Sequence, residues 1–157
     1  MSPDPSLPAP ADPGYAARTR ASFARQGLMA TLGAELLAVE PGRVSIGLSY
    51  RETLSQQHGF LHAGVLAAAL DSAAGDAAAT LMPADAGVLT IEFKVNLLAP
   101  AAGPRFRCNA VVVKAGRTIT VAEAETWQLG DDGRPPRRVA TLTATVMTVV
   151  GRDGVRA

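Results

Sequence analysis

Asp71 stands in a run made almost wholly of alanine and leucine, HAGVLAAALDSAAGDAAATLM, where a carboxylate is costly unless it is solvated, paired or used. Used, it could attack a carbonyl carbon as a nucleophile or take a proton from water as a general base. Nine residues before it, His62 falls near the end of the polar, glycine-containing stretch Gln56-Gln57-His58-Gly59-Phe60-Leu61-His62-Ala63-Gly64. Such a loop, running into a helix, leaves the first backbone N–H groups unsatisfied, those of Ala63 and Gly64 included. Donors of that kind can face an oxygen that acquires negative charge, as an oxyanion hole does. With at most a methyl group on either residue, a planar acyl group can approach closely, and Gln56 could add a side-chain donor. On spacing alone, the plainer account of Asp71 is a half-buried carboxylate bonded to water or to a hydroxyl such as that of Ser72. His62 reads equally as a helix cap, and Asp76, on another side of the helix, as a solvated or structurally paired residue.

The helix that must carry Asp71 is predicted over His62 to Met82, ended by Pro83 and built from strong helix formers. Apolar residues surround most of its circumference, as expected of a helix enclosed by a sheet. Before it, a short helix is predicted from Tyr15 to about Leu28, with Gly27 as its stop, and then two strand-like runs joined at Pro41-Gly42. After it, Leu89, Ile91, Phe93, Val95 and Leu97 alternate with Thr90, Glu92, Lys94 and Asn96. The segment Pro100–Pro104 supplies a turn before the run 105–114, Ala115-Gly116-Arg117 a hairpin into 118–128, and Asp131-Asp132-Gly133 a turn before 138–149. Ala140, Leu142, Ala144 and Val146 share one face of that last run. The expected architecture is α+β: an antiparallel sheet of about six strands, its later strands in meander-like succession, curled around one long helix. Such a sheet leaves one face and both edges uncovered, which predicts at least a dimer.

Composition narrows the function classes. The 157 residues suit one domain over 15–150, between a flexible tail at 1–14, which holds five prolines, and a C-terminal tail at 151–157. Apolar residues make up 48% and charged ones 18%, which excludes wholesale disorder, and no stretch is long and uncharged enough to suggest a membrane span. A formal charge of +1 with scattered arginines gives no nucleic-acid footprint. The single cysteine, Cys108, reads as a small buried hydrophobe; it gives no disulfide, metal site or redox pair, and the proline-rich start lacks the basic and apolar runs of a secretory signal. A cytoplasmic setting is expected. Phe60, Leu61, Met82 and Trp127 suggest apolar pocket walls, Trp127 reading otherwise as packing or interface.

The stretch Gln56 to Pro100, QQHGFLHAGVLAAALDSAAGDAA followed by LTIEFKVNLLAP, resembles the phenylacetate-pathway (PaaI-like) type of hotdog-fold acyl-CoA thioesterase. That family's pattern is Asn or Gln, five residues, His-Gly-Gly, then a helical Asp nine residues after the His. The resemblance extends more weakly over about 25–149. It implies hydrolysis of an aryl or medium-chain acyl-CoA, with Asp71 as nucleophile or base, Ala63 supplying the oxyanion N–H, Gln56 orienting thioester or water, and His62 shaping the loop. Thr90 matches a position where some relatives place a hydroxyl from the partner subunit. The family completes its sites across a dimer interface, in dimers or dimers of dimers, and needs neither metal nor cofactor, coenzyme A being part of the substrate. Arg117, and with it Lys114, are candidates for the nucleotide phosphates, although a solvated hairpin end explains both. His-Ala-Gly in place of His-Gly-Gly keeps the backbone donor but narrows the acyl approach. The rival readings are a hotdog hydratase or dehydratase, whose Asp–His signature is not matched, and a non-catalytic acyl-CoA-binding module, against which Asp71 argues.

Overall fold

The computed structural model describes residues 7–130 and 133–156. Two short helices, α1 (Tyr15–Ala24) and α2 (Gly27–Leu32), precede strands β1 (Glu35–Glu40) and β2 (Arg43–Ser49). A 3-10 turn at Glu52–Leu54 leads to the long helix α3 (Ala63–Ala79), then to β3 (Ala86–Leu97), β4 (Arg105–Ala115), β5 (Ile119–Gln128) and β6 (Arg137–Val150). All strand pairs are antiparallel, and the sheet runs β1-β2-β4-β5-β6-β3.

The predicted first helix is in fact two. Gln26 has extended backbone (ψ 98) and Gly27 opens α2 rather than closing α1, while the left-handed stop falls at Gly33 (φ 65). The meander expectation also fails at one strand: β3 does not lie beside β4 but crosses to the far edge and pairs with β6. That placement lets the sheet enclose α3, which packs against β2, β3, β4, β5 and β6. Residues 100–104 are therefore a crossover rather than a hairpin turn. The turn expected at Asp131-Asp132-Gly133 lies partly outside the described residues.

Helix α3 is held at both ends. His62 is its N-cap, with Nδ1 accepting from the Gly64 N–H at 2.9 Å. At the other end the Thr80 hydroxyl donates to the Ala77 carbonyl and accepts from the Gly42 N–H, and the Arg18 guanidinium donates to the carbonyls of Ala79 and Met82. Cations are favoured at that end of a helix. Ala69, Leu70, Ala73, Ala74 and Ala77 are fully buried, so the sheet closes directly on small side chains. Of the segment expected as a tail, residues 7–14 rest on the domain: Leu7 packs against the core beside Gly42, and Asp12 pairs with Arg18 at 2.9 Å.

A β-bulge decides which face of β3 each residue takes. Directly paired residues project to the same side of a sheet. Thr90 pairs with buried Val146, while Glu92 pairs with Thr145, leaving Ile91 as the extra residue. Beyond the bulge Phe93, Val95 and Leu97 pair with Ala144, Leu142 and Ala140. The helix-facing set is thus Val88, Thr90, Phe93, Val95 and Leu97, not the strict odd-numbered alternation. Thr90, expected on the polar side, faces the helix.

Candidate functional site

The bulge brings the Thr90 hydroxyl to Asp71, where it donates to Oδ1 at 2.8 Å. The two side chains meet within one chain, so whichever copy's carboxylate serves a site brings its own Thr90 hydroxyl with it. Asp71 is part-exposed, and Ser72, the alternative partner, donates instead to Gln26 Oε1 at 2.8 Å.

About two turns earlier lies a cleft of about 480 Å³ lined by Gln56, Phe60, His62, Ala63, Leu66 and the segment Leu97 to Ala101. The loop that forms it is pinned throughout. Gln56 N–H donates to the Phe60 carbonyl, His62 N–H to the Leu54 carbonyl and Leu61 N–H to the Ala101 carbonyl, while Gln56 Oε1 accepts from the His58 N–H. Of the two helix-start donors expected to be open, Gly64 is not, because its N–H is taken by His62. The Ala63 N–H has no acceptor among the described residues, and it lies at the positive end of α3. His62 thus caps α3 through Nδ1.

A solved structure of a thioesterase family protein from Silicibacter pomeroyi is 54% identical, with a TM-score of 0.85, covering 88% of this chain and 100% of that one. The family model "Thioesterase superfamily" matches residues 58–133. The chain belongs to the thioesterase superfamily. The hotdog fold read from Gln56 to Pro100 is thereby upheld. Among curated relatives, a Saccharolobus solfataricus protein that carries the name of an esterase is 33% identical over 94 residues, 60% of this chain and 66% of that protein. The chain thus spans just under two thirds of that relative. The 1,4-dihydroxy-2-naphthoyl-CoA hydrolase of Listeria monocytogenes is 31% identical over 97 residues, 62% of this chain and 79% of that enzyme.

Within one copy of this thioesterase-superfamily chain, the structure gathers Gln56, His62, Ala63 and Gly64 at one place and Asp71 with Thr90 at another. Neither Lys114 nor Arg117 lines the cleft. Both are exposed around the β4–β5 connection, at the end of the sheet where Val112 meets Gly42 and Leu81, beyond the C-terminus of α3. Of the expected apolar walls, Phe60 and Leu61 line the cleft, but Met82 is buried past the other end of α3. Trp127, paired with Arg107 and Arg138, lies on the outer face of the sheet, its ring under the Arg138 guanidinium and its N–H on Glu125 at 2.7 Å.

Sequence reasoning missed the bridge between Gln26 and α3. Asp76 is 4% exposed, and Gln26 Nε2 donates to its Oδ2 at 3.4 Å. Burial pushes the Asp76 carboxyl up to about 7, the Gln26 contact pulls it the other way, and the negative charge of Asp71 adds to the rise. The signal for this was a second aspartate inside the same alanine run. Among the described residues no group of three or more His, Cys, Asp or Glu side chains could hold a metal ion, and no helix is long and apolar enough to cross a membrane.

Proposed function

We propose that the chain hydrolyses the thioester of an aryl or medium-chain acyl-CoA to the free acid and coenzyme A, in the cytoplasm and without metal or cofactor. The observation that carries this is a carboxylate on an otherwise apolar helix, fixed by one hydroxyl, in a superfamily chain whose helix start also presents an unclaimed N–H beside an apolar cleft. A curated relative with 79% of its length matched is named as a hydrolase of an aromatic acyl-CoA, which supports coenzyme A as the carrier.

The two halves of the site meet only between copies. Ala63 and Asp71 are eight residues apart on α3, about 12 Å along its axis. A thioester carbonyl needs its oxygen about 3 Å from the donor and its carbon about 3 Å from the attacking atom, so one copy cannot serve both. A second copy closes the gap by docking at the β3 edge, where Leu89, Ile91, Phe93, Leu97 and Leu98 are exposed and the strand's outer backbone groups have no strand partner. The Ala63 N–H and Gln56 amide of one copy then hold the thioester while the partner subunit's Asp71, steadied by the partner subunit's Thr90, acts on it. Lys114 and Arg117, remote from the cleft of their own chain, lie at the end of the domain that carries Thr90, and so would meet the nucleotide phosphates across the same interface.

In the base route, Asp71 takes a proton from water as its oxygen bonds to the carbonyl carbon. The carbonyl electrons move onto oxygen at the Ala63 N–H and return as the C–S bond breaks, and the thiolate leaves and is protonated. In the nucleophilic route, an Asp71 oxygen bonds to the carbonyl carbon as the C–S bond breaks and the thiolate leaves, and water then attacks the Asp71 carboxyl carbon of the mixed anhydride and releases the free acid. Oxygen-18 from solvent enters the Asp71 carboxyl on repeated turnover only in the second. The experiment for the activity is release of coenzyme A from a panel of aryl and straight-chain acyl-CoAs. The Asp71→Asn protein, folded and of unchanged assembly, should lose about 100-fold or more in rate; a fully active variant refutes the assignment.

A further inference from the structure

Asp76 has no place in the chemistry above, yet it is the most deeply buried carboxyl on α3. It lies five residues beyond Asp71, about 7.5 Å along the helix, and four beyond Ser72, which puts Ser72 and Asp76 on one helix face. One side chain spans both: the Gln26 carboxamide accepts from the Ser72 hydroxyl at 2.8 Å and donates to Asp76 at 3.4 Å. Gln26 sits at the break between α1 and α2, where an unbroken helix would have carried its side chain elsewhere. The break, the bridge and the carboxyl therefore form one unit on the far side of the residue that follows Asp71.

Building on the assignment of Asp71, we propose that Asp76 is a positioning residue for the hydrolytic site, which works when the Asp76 carboxyl is protonated and Gln26 ties it to Ser72. An ionised Asp76 places a second negative charge beside Asp71 in a setting with little solvent to screen it, against the negative charge that develops on the thioester oxygen. Among the described residues no countercharge faces Asp76. Of the charged groups on the elements packed against α3, Arg18 is committed to Asp12 and two carbonyls, and Arg25 donates to the Ala21 carbonyl, while Arg20 is exposed. By the pairing register Arg43, Glu92, Lys94, Arg107, Lys114, Glu123, Glu125 and Arg138 project from the outer face, with Arg105, and Arg137 lies at the sheet end. Asp71 is the charged group that acts on Asp76.

The test is the pH profile of kcat/KM for coenzyme A release, measured at a temperature where every variant is folded. The wild-type rate should fall about tenfold between pH 6 and pH 8, as the Asp76 carboxyl titrates near 7. Asp76→Asn should abolish that fall, and Gln26→Leu, which removes the hydrogen bond favouring the ionised form, should move it to higher pH. A residue with a merely structural role would change thermal stability and leave the shape of the profile alone. Wild-type and Asp76→Asn profiles of the same shape overturn the proposal; if Asp76→Asn does not fold, an unmoved profile in Gln26→Leu does so. The Asp71 assignment fails separately, through an active Asp71→Asn, which reads the height of the profile and not its shape.

Discussion

Replacing Asp76 by asparagine should stabilise the protein, and by an amount that grows with pH. The folded carboxyl titrates near 7 against 3.8 for an unburied aspartate. The native state thus holds its proton more tightly than the unfolded chain does. Stability from this group is full below pH 3.8, falls as pH rises, and is lost once pH passes the folded value. At pH 5 the gap of roughly one unit amounts to about 1.5 kcal/mol; at pH 8 the whole shift of about three units amounts to about 4 kcal/mol. Asparagine carries no such penalty, so its advantage over wild type should increase by about 2.5 kcal/mol between the two pH values. For a domain of this size that corresponds to roughly 5–10 °C in Tm. Thermal unfolding of both proteins at pH 5 and pH 8, at one protein concentration so that any mass-action contribution is held fixed, reads the quantity directly. Every other titrating group is common to the two proteins and cancels in the difference, as does any fixed change in hydrogen bonding from the amide. A Tm difference that stays the same from pH 5 to pH 8 would refute the reasoning.

Two other perturbations follow from the local geometry. His62→Ala removes the acceptor for the Gly64 N–H and should cost about 1 kcal/mol, seen as a Tm lower by roughly 2–4 °C, while His62→Ser should recover most of it. Thr90→Val removes the hydroxyl that donates to Asp71 and should slow coenzyme A release about tenfold, with the far-UV circular dichroism of the sheet retained.

Much of the fold was legible because its signals are local. The alanine-rich run, His62 before it and Pro83 after it bound one helix to within a few residues, and period-two runs located six strands. What escaped depends on pairing between distant segments. No local pattern tells β3 to pass β4 and join β6. The bulge at Ile91 cannot be seen either, since an unbroken alternation of Leu89, Ile91 and Phe93 hides a change of face that only the partner strand reveals. The site followed the same division. Asp71, Ala63 and the loop were candidates through residue type and the resemblance, and the structure sets Asp71 against Thr90 and Ala63 beside the cleft. The Gly64 N–H looked open because a histidine cap depends on a side-chain rotamer, and the contact of Thr90 with Asp71 was hidden because its facing depends on the bulge. Gln26 and Asp76, 50 residues apart, meet only because α1 and the break that follows it pack against α3.

The far-edge position of β3 also bears on how the chain is made. A ribosome releases α3 and β3 well before β6, yet Leu97 must wait for Ala140 and Ala86 for Val150. Until the last strand emerges, an alanine-rich helix and a strand bearing Leu89, Ile91, Phe93, Val95 and Leu97 have no completed sheet to hold them, and nonlocal pairing of this kind closes slowly. Chains cut short before residue 137 are therefore the species that should clump or recruit chaperones, and slower translation upstream of β6 would lengthen the hazard rather than relieve it.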